Sequence, residues 1–156
     1  MGYTTDFKGR IAIEPLLNND EINYIKKFSE TRRMKRELGP YFVDGSGDYG
    51  QGNDPDVLDH NNPPDGQPGS WCKWTSTGDG KFIEWDGNEK FYDSTEWMQY
   101  LIDNFLKPNA IAFGNPGFED FTFDHILNGE IEAQGEDPDD HWLLSVHDNI
   151  VSGEVI

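Results

Sequence analysis

Apolar and polar residues alternate near the start of the chain, a pattern that predicts a half-buried β-strand. Residues 7–13 follow the two-residue period of a strand that buries one of its faces. The alternation stops at Pro15, which lacks the amide hydrogen that a central strand donates to its neighbour. We therefore expect the first strand over residues 7–13.

A helical period comes next along the chain. Three apolar residues fall on one face of a helix: Ile22, Ile25 and Phe28. Asn18 and Glu21 have the three-residue spacing of a capping box, so the pattern predicts a helix over 20–37. Four cations lie at 32, 33, 35 and 36, near the expected C-terminus. They fit two interpretations, favourable helix-dipole electrostatics or a binding role.

Two β-rich runs, residues 71–75 and 81–85, predict a hairpin. They are separated by residues 76–80, whose two glycines suit a tight reversal. Strand alternation places Trp71, Lys73 and Thr75 on one face and Cys72 and Trp74 on the other. We expect one of these faces to be core and the other to be available for binding.

The last part of the chain predicts a second helix and two antiparallel strands. Trp97, Leu101 and Phe105 repeat at helical spacing after a cap-like start at 93–96, and Pro108 ends the helix near Leu106. Residues 126–133 and 142–146 have strand character on either side of an acidic turn at 136–140. Apolar residues at 150 and 151 indicate a further short strand.

This order of elements predicts an α+β protein with a ferredoxin-like antiparallel sheet. Right-handed crossovers place both helices on one face of the sheet, and an extra strand follows at the C-terminus. The six apolar residues of the two helical stripes should then be buried: Ile22, Ile25, Phe28, Trp97, Leu101 and Phe105. We expect residues 1–156 to form a single domain that contains residues 39–70 as a long irregular insertion loop.

The predicted loop is rich in residues that break helices and strands. Residues 39–69 hold seven Gly, five Pro and six Asp without any Lys or Arg, and we expect 44–65 to be the most mobile internal segment. Residues 44–50 place oxygen ligands at alternate positions, as a calcium loop does. Tyr49 and Pro55 stand where that loop needs a glycine and a bidentate glutamate, so the pattern favours a solvated acidic loop over an ion site.

The net charge of the chain limits the kinds of partner that the protein can bind. The chain has 12 Lys and Arg against 30 Asp and Glu, a net charge of −18, which repels nucleic acid and anionic membranes. Eight of the twelve cations lie in residues 1–40, so a basic patch is expected on an acidic protein. No apolar run is long enough to span a bilayer, residues 1–10 lack the basic start and apolar stretch typical of a signal peptide, and the single cysteine fits a reducing compartment. We expect a cytoplasmic protein.

Catalytic chemistry has little support in the sequence. The four histidines, His60, His125, His141 and His147, come without a phosphate loop, a nucleophile elbow or a zinc-protease motif. A regular strand holds His141 and His147 roughly 20 Å apart, too far for one ion. Cys72 lies between tryptophans, as a small buried apolar residue does. No cofactor is indicated, and binding is favoured over catalysis.

Aromatic and cationic residues form the more informative set of candidates. Aromatic rings stack on bases, whereas guanidinium and ammonium groups bind phosphates, so these residue types suit a small nucleotide-derived ligand. The candidate ligand-binding residues are Arg32, Arg33, Trp71, Trp74, Trp85, Lys90 and Tyr92. Each tryptophan is also a candidate core residue.

Several sequence blocks resemble an uncharacterised family of small proteins from phages and bacterial genomes. The most specific are Trp-Cys-x-Trp at 71–74 and Trp-Asp-Gly at 85–87; the others lie at 2–7, 31–34, 66–70, 88–92, 96–98 and 134–136. The hairpin and second helix are more distantly similar to the ferredoxin-like domain of Api92-like phage proteins. Neither resemblance supplies an activity or a functional residue. Both imply a phage accessory protein in the host bacterial cytoplasm.

Three classes of function remain open. The first is a non-enzymatic binder of a small nucleotide-like ligand, such as a sponge that sequesters a host defence signal. The second is an acidic inhibitor of a host protein or a DNA mimic, for which clustered carboxylates such as Asp137, Asp139 and Asp140 would imitate phosphates. The third is a metal-dependent hydrolase. Neither direct nucleic-acid binding nor membrane binding is expected, and the pattern does not indicate an oligomeric state.

Overall fold

The structure, a computed structural model, describes residues 2–44 and 54–156. Within these residues the chain is an α+β protein with two helices, a six-stranded sheet and a two-stranded sheet. The strands are β1 (Asp6–Glu14), β2 (Lys35–Arg36), β3 (Val57–Asp59), β4 (Trp74–Ser76), β5 (Phe82–Trp85), β6 (Ile126–Gln134), β7 (His141–His147) and β8 (Ile150–Val155). The helices are α1 (Asn19–Glu30) and α2 (Ser94–Leu101), and α2 continues as a π-helical turn over Ile102–Leu106.

The large sheet has the strand order β4-β5-β1-β6-β7-β8, and every neighbouring pair is antiparallel. β1 pairs with β5 and with β6, so Ile11 lies opposite Ile83 on one side and Gly129 on the other. The predicted first strand, the hairpin and the two C-terminal strands are confirmed. β8 is the further strand that the apolar residues at 150 and 151 indicated.

The core forms where alternate residues of the strands meet the apolar stripes of the helices. Five of the six stripe residues are fully buried: Ile25, Phe28, Trp97, Leu101 and Phe105. They join one cluster with strand residues such as Ile11, Ile83, Ile131 and Leu144. Ile22 is the exception, since it is half-buried and faces a groove beside α1.

α1 begins as predicted but ends earlier. Asn18 and Glu21 form the expected capping box, with both hydrogen bonds at 2.9 Å. The helix stops at Glu30 instead of residue 37, because Thr31 is extended and the Arg33 amide donates to the Ser70 carbonyl at 2.7 Å. The cationic stretch therefore lies beyond the last helical turn, in which Lys27 is the basic residue.

α2 matches its prediction at both ends. It starts directly after Asp93, although that side chain makes no capping hydrogen bond, and the π-helical turn ends at Leu106, two residues before Pro108. Proline cannot continue a helical hydrogen-bond ladder, which fixes this boundary. Among the helices in residues 2–44 and 54–156, none is both long and apolar enough to cross a membrane.

Part of the predicted loop is built into the fold. Val57–Asp59 forms β3 and pairs with β2, and the buried Arg36 guanidinium bridges Asp54 and Asp56 at 3.2 and 2.9 Å. The prediction of an irregular loop missed this strand, because the two ion pairs and the ladder join segments far apart in sequence. Most of the candidate calcium loop, residues 45–50, lies outside the described residues, as do residues 51–53 of the segment expected to be mobile.

Candidate functional site

A groove of about 890 Å³ lies between α1 and the β4–β5 hairpin. We call it the tryptophan groove, because two half-buried tryptophans line it. α1 supplies residues three or four positions apart, which share one helical face. These are Asn19, Ile22, Asn23, Lys26, Ser29 and Glu30. The opposite wall comes from the hairpin and the residues that flank it.

The segment that leads into β4 explains why the hairpin wall is open to binding. Trp71, Lys73 and Thr75 are half-buried and line the groove. Cys72 and Trp74 alternate with them and have no exposed surface. The prediction that one face of this segment is core is confirmed, and the face that carries Trp71 is the partly exposed one.

A turn after β5 closes the hairpin side of the groove. The Trp85 indole N–H donates to the Asn88 carbonyl at 3.0 Å, and the Asn88 amide donates to the Asp86 carboxylate at 2.9 Å. Lys73 reaches across, and its ammonium group donates to the Glu89 carbonyl. These bonds fix Trp85 and Lys73, so this wall is preformed.

Both charge signs line the tryptophan groove. Its cations are Lys26 and Lys73, and its anions are Glu30, Glu84, Asp86 and Glu89. Burial lowers the pKa of the Lys73 ammonium group and raises the pKa of the Asp86 carboxyl group. Because burial disfavours the charged form of both groups, a polar ligand that pairs with either one would relieve that penalty.

Trp74, which the aromatic pattern assigns to ligand binding, is a core residue. Its relative exposure is 0%, and its indole N–H donates to the Ser94 carbonyl at 2.8 Å. Its ring packs edge-on against Phe7 and Phe91 at centroid distances of 5.1 and 5.0 Å. No surface remains for a ligand.

Arg33 is also buried, with 2% of its surface exposed, and it does not line the tryptophan groove. Its guanidinium donates to the carbonyls of Pro40 and Phe42 at 2.8 and 2.9 Å and stacks on the Phe28 ring at 4.3 Å. The side chain therefore organises the protein interior instead of contacting a ligand. Its neighbour Arg32 is half-buried and lies outside the groove lining as well.

Lys90 and Tyr92 are exposed but face another part of the molecule. The Tyr92 hydroxyl accepts a hydrogen bond from the Tyr3 amide at 3.3 Å, and a side chain at Gly2 would meet both Tyr92 and Lys90. Of the seven predicted residues, the structure thus brings only Trp71 and Trp85 into the groove. Lys26 and Lys73 also line the groove but were not among the predicted residues. Alternation with Trp71 was the signal for Lys73, and the helical face shared with Ile22 was the signal for Lys26.

A buried ion pair lies at the N-terminus of α1, away from the groove. Nε2 of His125 lies 2.8 Å from the Glu21 carboxylate, and Nδ1 lies 2.6 Å from the Pro15 carbonyl. The Pro15 carbonyl can only accept, so Nδ1 donates to it, and an ionised Glu21 carboxylate beside Nε2 favours the protonated imidazole. Burial opposes the charged forms most strongly, but the hydrogen bond between the two groups, their hydrogen bonds to the backbone and their charge attraction together outweigh it. The pKa of Glu21 is lowered and the pKa of His125 is raised.

The other candidate reactive groups are occupied or inert. His141 lies 2.5 Å from Glu132, and the exposed His147 lies 3.4 Å from Asp148. Burial raises the pKa of the Cys72 thiol to about 12, which keeps it protonated and unreactive at neutral pH. In residues 2–44 and 54–156, no group of three or more His, Cys, Asp or Glu side chains is arranged to hold a metal ion.

The acidic turn between β6 and β7 is tied to the N-terminal segment. The Tyr3 hydroxyl donates to the Asp140 carboxylate at 2.8 Å and accepts from the Asp137 amide at 3.0 Å. Nearby on the sheet, Lys8 lies opposite Glu132 and Arg10 opposite Glu130, so the two central strands carry compensating charges.

Comparison with known proteins identifies no similar protein. No protein-family model, curated protein or solved structure gives a significant match to this chain.

Proposed function

We propose that this protein is a non-enzymatic binder that holds a small nucleotide-derived ligand in the tryptophan groove. One observation carries the proposal: Trp71 and Trp85 line the same groove as Lys26 and Lys73, between two preformed walls. Exposed indole faces stack on bases, and ammonium groups bind phosphate oxygens. The lysines take the phosphate-binding role that the sequence assigned to Arg32 and Arg33.

The dimensions and charge of the groove narrow the ligand class. A volume of about 890 Å³ lies within the range of small-molecule sites. Carboxylates such as Glu84 and Asp86 can accept hydrogen bonds from the amino groups of a base. They also repel a highly charged phosphate chain. We therefore favour a nucleoside monophosphate or a cyclic phosphodiester over a triphosphate.

The proposal also covers the fold of the protein and the cell in which it acts. The strand order β4-β5-β1-β6 is the order of a ferredoxin-like sheet, and buried residues of both helices join one core cluster with these strands. We accordingly propose a ferredoxin-like fold with both helices on one face. The resemblance of the sequence to phage and bacterial proteins supports a phage accessory protein in the host cytoplasm, and the lining of the tryptophan groove supports a role as a sponge for a small ligand.

Identification of a ligand comes first. Protein purified from bacterial cells is heated, and the released small molecules are analysed by mass spectrometry. Calorimetry then measures four probes: adenosine, AMP, ATP and cyclic di-AMP. We expect AMP or cyclic di-AMP to bind more tightly than adenosine, because only the phosphorylated ligands reach the lysines, and more tightly than ATP. Absence of binding by all four, with no nucleotide released on heating, would overturn the proposal.

Two matched pairs of variants locate the site. Trp71→Ala should weaken binding of the best probe by about tenfold or more, whereas Tyr92→Ala, an exposed aromatic outside the groove, should not. Lys26→Ala should weaken binding, whereas Lys27→Ala should not, because Lys27 pairs with Asp44 at 2.9 Å and does not line the groove. Equal effects within each pair would show that the ligand binds elsewhere.

A further inference from the structure

Three large apolar side chains are exposed on a different part of the molecule. Leu38, Ile111 and Phe113 have relative exposures of 64%, 65% and 68%. Each lines a groove, and the grooves adjoin. The grooves lined by Leu38, Ile111 and Phe113 have volumes of about 700, 720 and 320 Å³. The Leu38 groove shares Tyr41 with the Ile111 groove. It shares Phe118 with the Phe113 groove. They form one continuous apolar surface.

The segment at the centre of this surface is held rigidly from below. The carbonyls of three successive residues, 40–42, accept hydrogen bonds from side chains. Arg33 and Gln67 donate to residue 40, Tyr24 to 41 and Arg33 to 42, at 2.7–2.9 Å. The surface is therefore preformed, and a partner would not lose affinity to the ordering of this segment.

Charge distinguishes this surface from the tryptophan groove. Five carboxylates line the three grooves: Asp44, Asp65, Glu96, Asp103 and Glu119. Among the described residues that line them, none is a lysine or arginine. Lysines outside the grooves pair with three of the carboxylates, at 2.9–3.5 Å, and such solvent-exposed pairs contribute little and exchange readily. We call the three grooves and their carboxylates the apolar–acidic surface.

We propose that the apolar–acidic surface docks a basic amphipathic segment of another protein. Apolar anchors of the partner fill the grooves beside Leu38, Ile111 and Phe113, and its lysines or arginines meet the carboxylates. Exposed apolar patches rimmed by charge mark protein interaction sites, and complementary charge selects the partner. A second copy of this chain fits poorly, because each copy has a net charge of −18. This inference is independent of ligand binding in the tryptophan groove.

A synthetic peptide tests the proposal. The probe is an amphipathic helical peptide of leucine and lysine, and its matched control carries glutamate at every lysine position. Calorimetry should detect binding of the lysine peptide alone. Added salt should weaken that binding without abolishing it, because the apolar contacts remain when charges are screened. Failure of the lysine peptide to bind, or equal binding of both peptides, would overturn the proposal.

Matched surface variants separate docking from general attraction to an acidic protein. The double variant Ile111→Ser, Phe113→Ser should weaken peptide binding by about tenfold or more, because it removes two anchor contacts. The control Ile150→Ser, Val155→Ser removes two apolar side chains on β8 that are at least as exposed, and it should change nothing. Equal effects would overturn the proposal. So would a dimer in sedimentation that only the first variant disrupts, because a second copy would then occupy the surface.

Discussion

The tryptophan groove and the apolar–acidic surface lie on different sides of α1 and differ in chemistry. Ile22 and Lys26 of α1 line the first, and Tyr24 lines the second. The groove combines indole rings with both charge signs, which suits a compact polar ligand. The surface combines exposed aliphatic and aromatic side chains with carboxylates alone, which suits an extended basic partner. A chain of high negative charge thus carries two candidate recognition sites that differ in the residues that line them.

The two regions also differ in how they are constructed. The groove is formed by regular elements, since one helical face lies against one face of the hairpin segment. The surface is formed by irregular segments, and the buried guanidinium of Arg33 holds its centre in place. In the described residues no carboxylate pairs with Arg33, and burial lowers its pKa. The centre of the surface should therefore depend on this one buried side chain.

The largest expected effect comes from the core beneath the tryptophan groove. Trp74→Ala should lower the free energy of unfolding by about 3–5 kcal/mol, because it leaves a cavity and removes a buried hydrogen bond. Trp71→Ala, three residues away on the groove-facing side, should cost about 1 kcal/mol. Chemical denaturation measures both. Similar losses for the two variants would contradict the assignment of one side chain to the core and the other to the groove.

Arg33→Met tests whether the apolar–acidic surface depends on one side chain. The Phe42 carbonyl loses its donor, whereas the Pro40 carbonyl keeps Gln67, so we expect a loss of about 2–3 kcal/mol in denaturation. Arg32→Met, at a half-buried position, should cost less than about 1 kcal/mol. Peptide binding should fall in Arg33→Met while ligand binding in the groove persists. Loss of both activities together would show that the two regions are not independent.

The Glu21–His125 pair makes stability depend on pH near the apolar–acidic surface. The lowered pKa of Glu21 means that its contribution is present above its ordinary value of 4.5 and is lost as pH falls through the folded pKa. The raised pKa of His125 means that its contribution is present below 6.5 and is lost as pH rises through the folded pKa. The pair should therefore stabilise the protein most between these two values.

Denaturation midpoints measured across pH test this dependence. His125→Gln should remove the decrease on the alkaline side, whereas His147→Gln, an exposed histidine, should leave it unchanged. A persistent alkaline decrease in His125→Gln would assign it to another group. Groove binding by a neutral probe such as adenosine should vary little over the same range, because neither Glu21 nor His125 lines the groove.

The smallest effect concerns Cys72, which should not react in the native protein. Its thiol has no exposed surface and a pKa of about 12, against an ordinary 9.0. At pH 8 the fraction of Cys72 present as thiolate should be on the order of a thousandfold lower in the folded protein than in the unfolded chain. Alkylation followed by mass spectrometry should label only denatured protein. Rapid native labelling would mean that the segment between Trp71 and Trp74 opens, which would weaken the description of the groove wall as preformed.

Local patterns in the sequence predicted most of the regular elements. The alternation in residues 7–13, the capping box of Asn18 and Glu21, and Pro108 each act through the residue's own backbone or its near neighbours. The same holds for the opposed faces of Trp71 and Trp74, since alternation follows from strand geometry. Sequence alone therefore determined the strands and helices of the main sheet and core, and that one face of residues 71–75 is open.

Only the tertiary structure decided where α1 ends, which tryptophans are buried and what the arginines do. The helical prediction continued past Glu30, because no residue nearby in the chain opposes a helix there. In the folded protein the Arg33 amide donates instead to the carbonyl of Ser70, which is distant in sequence. The pairing of β2 with β3 likewise depends on Arg36 and two distant aspartates. Periodicity records which side chains share a face, but burial depends on which distant segment covers that face, and only the folded chain determines this.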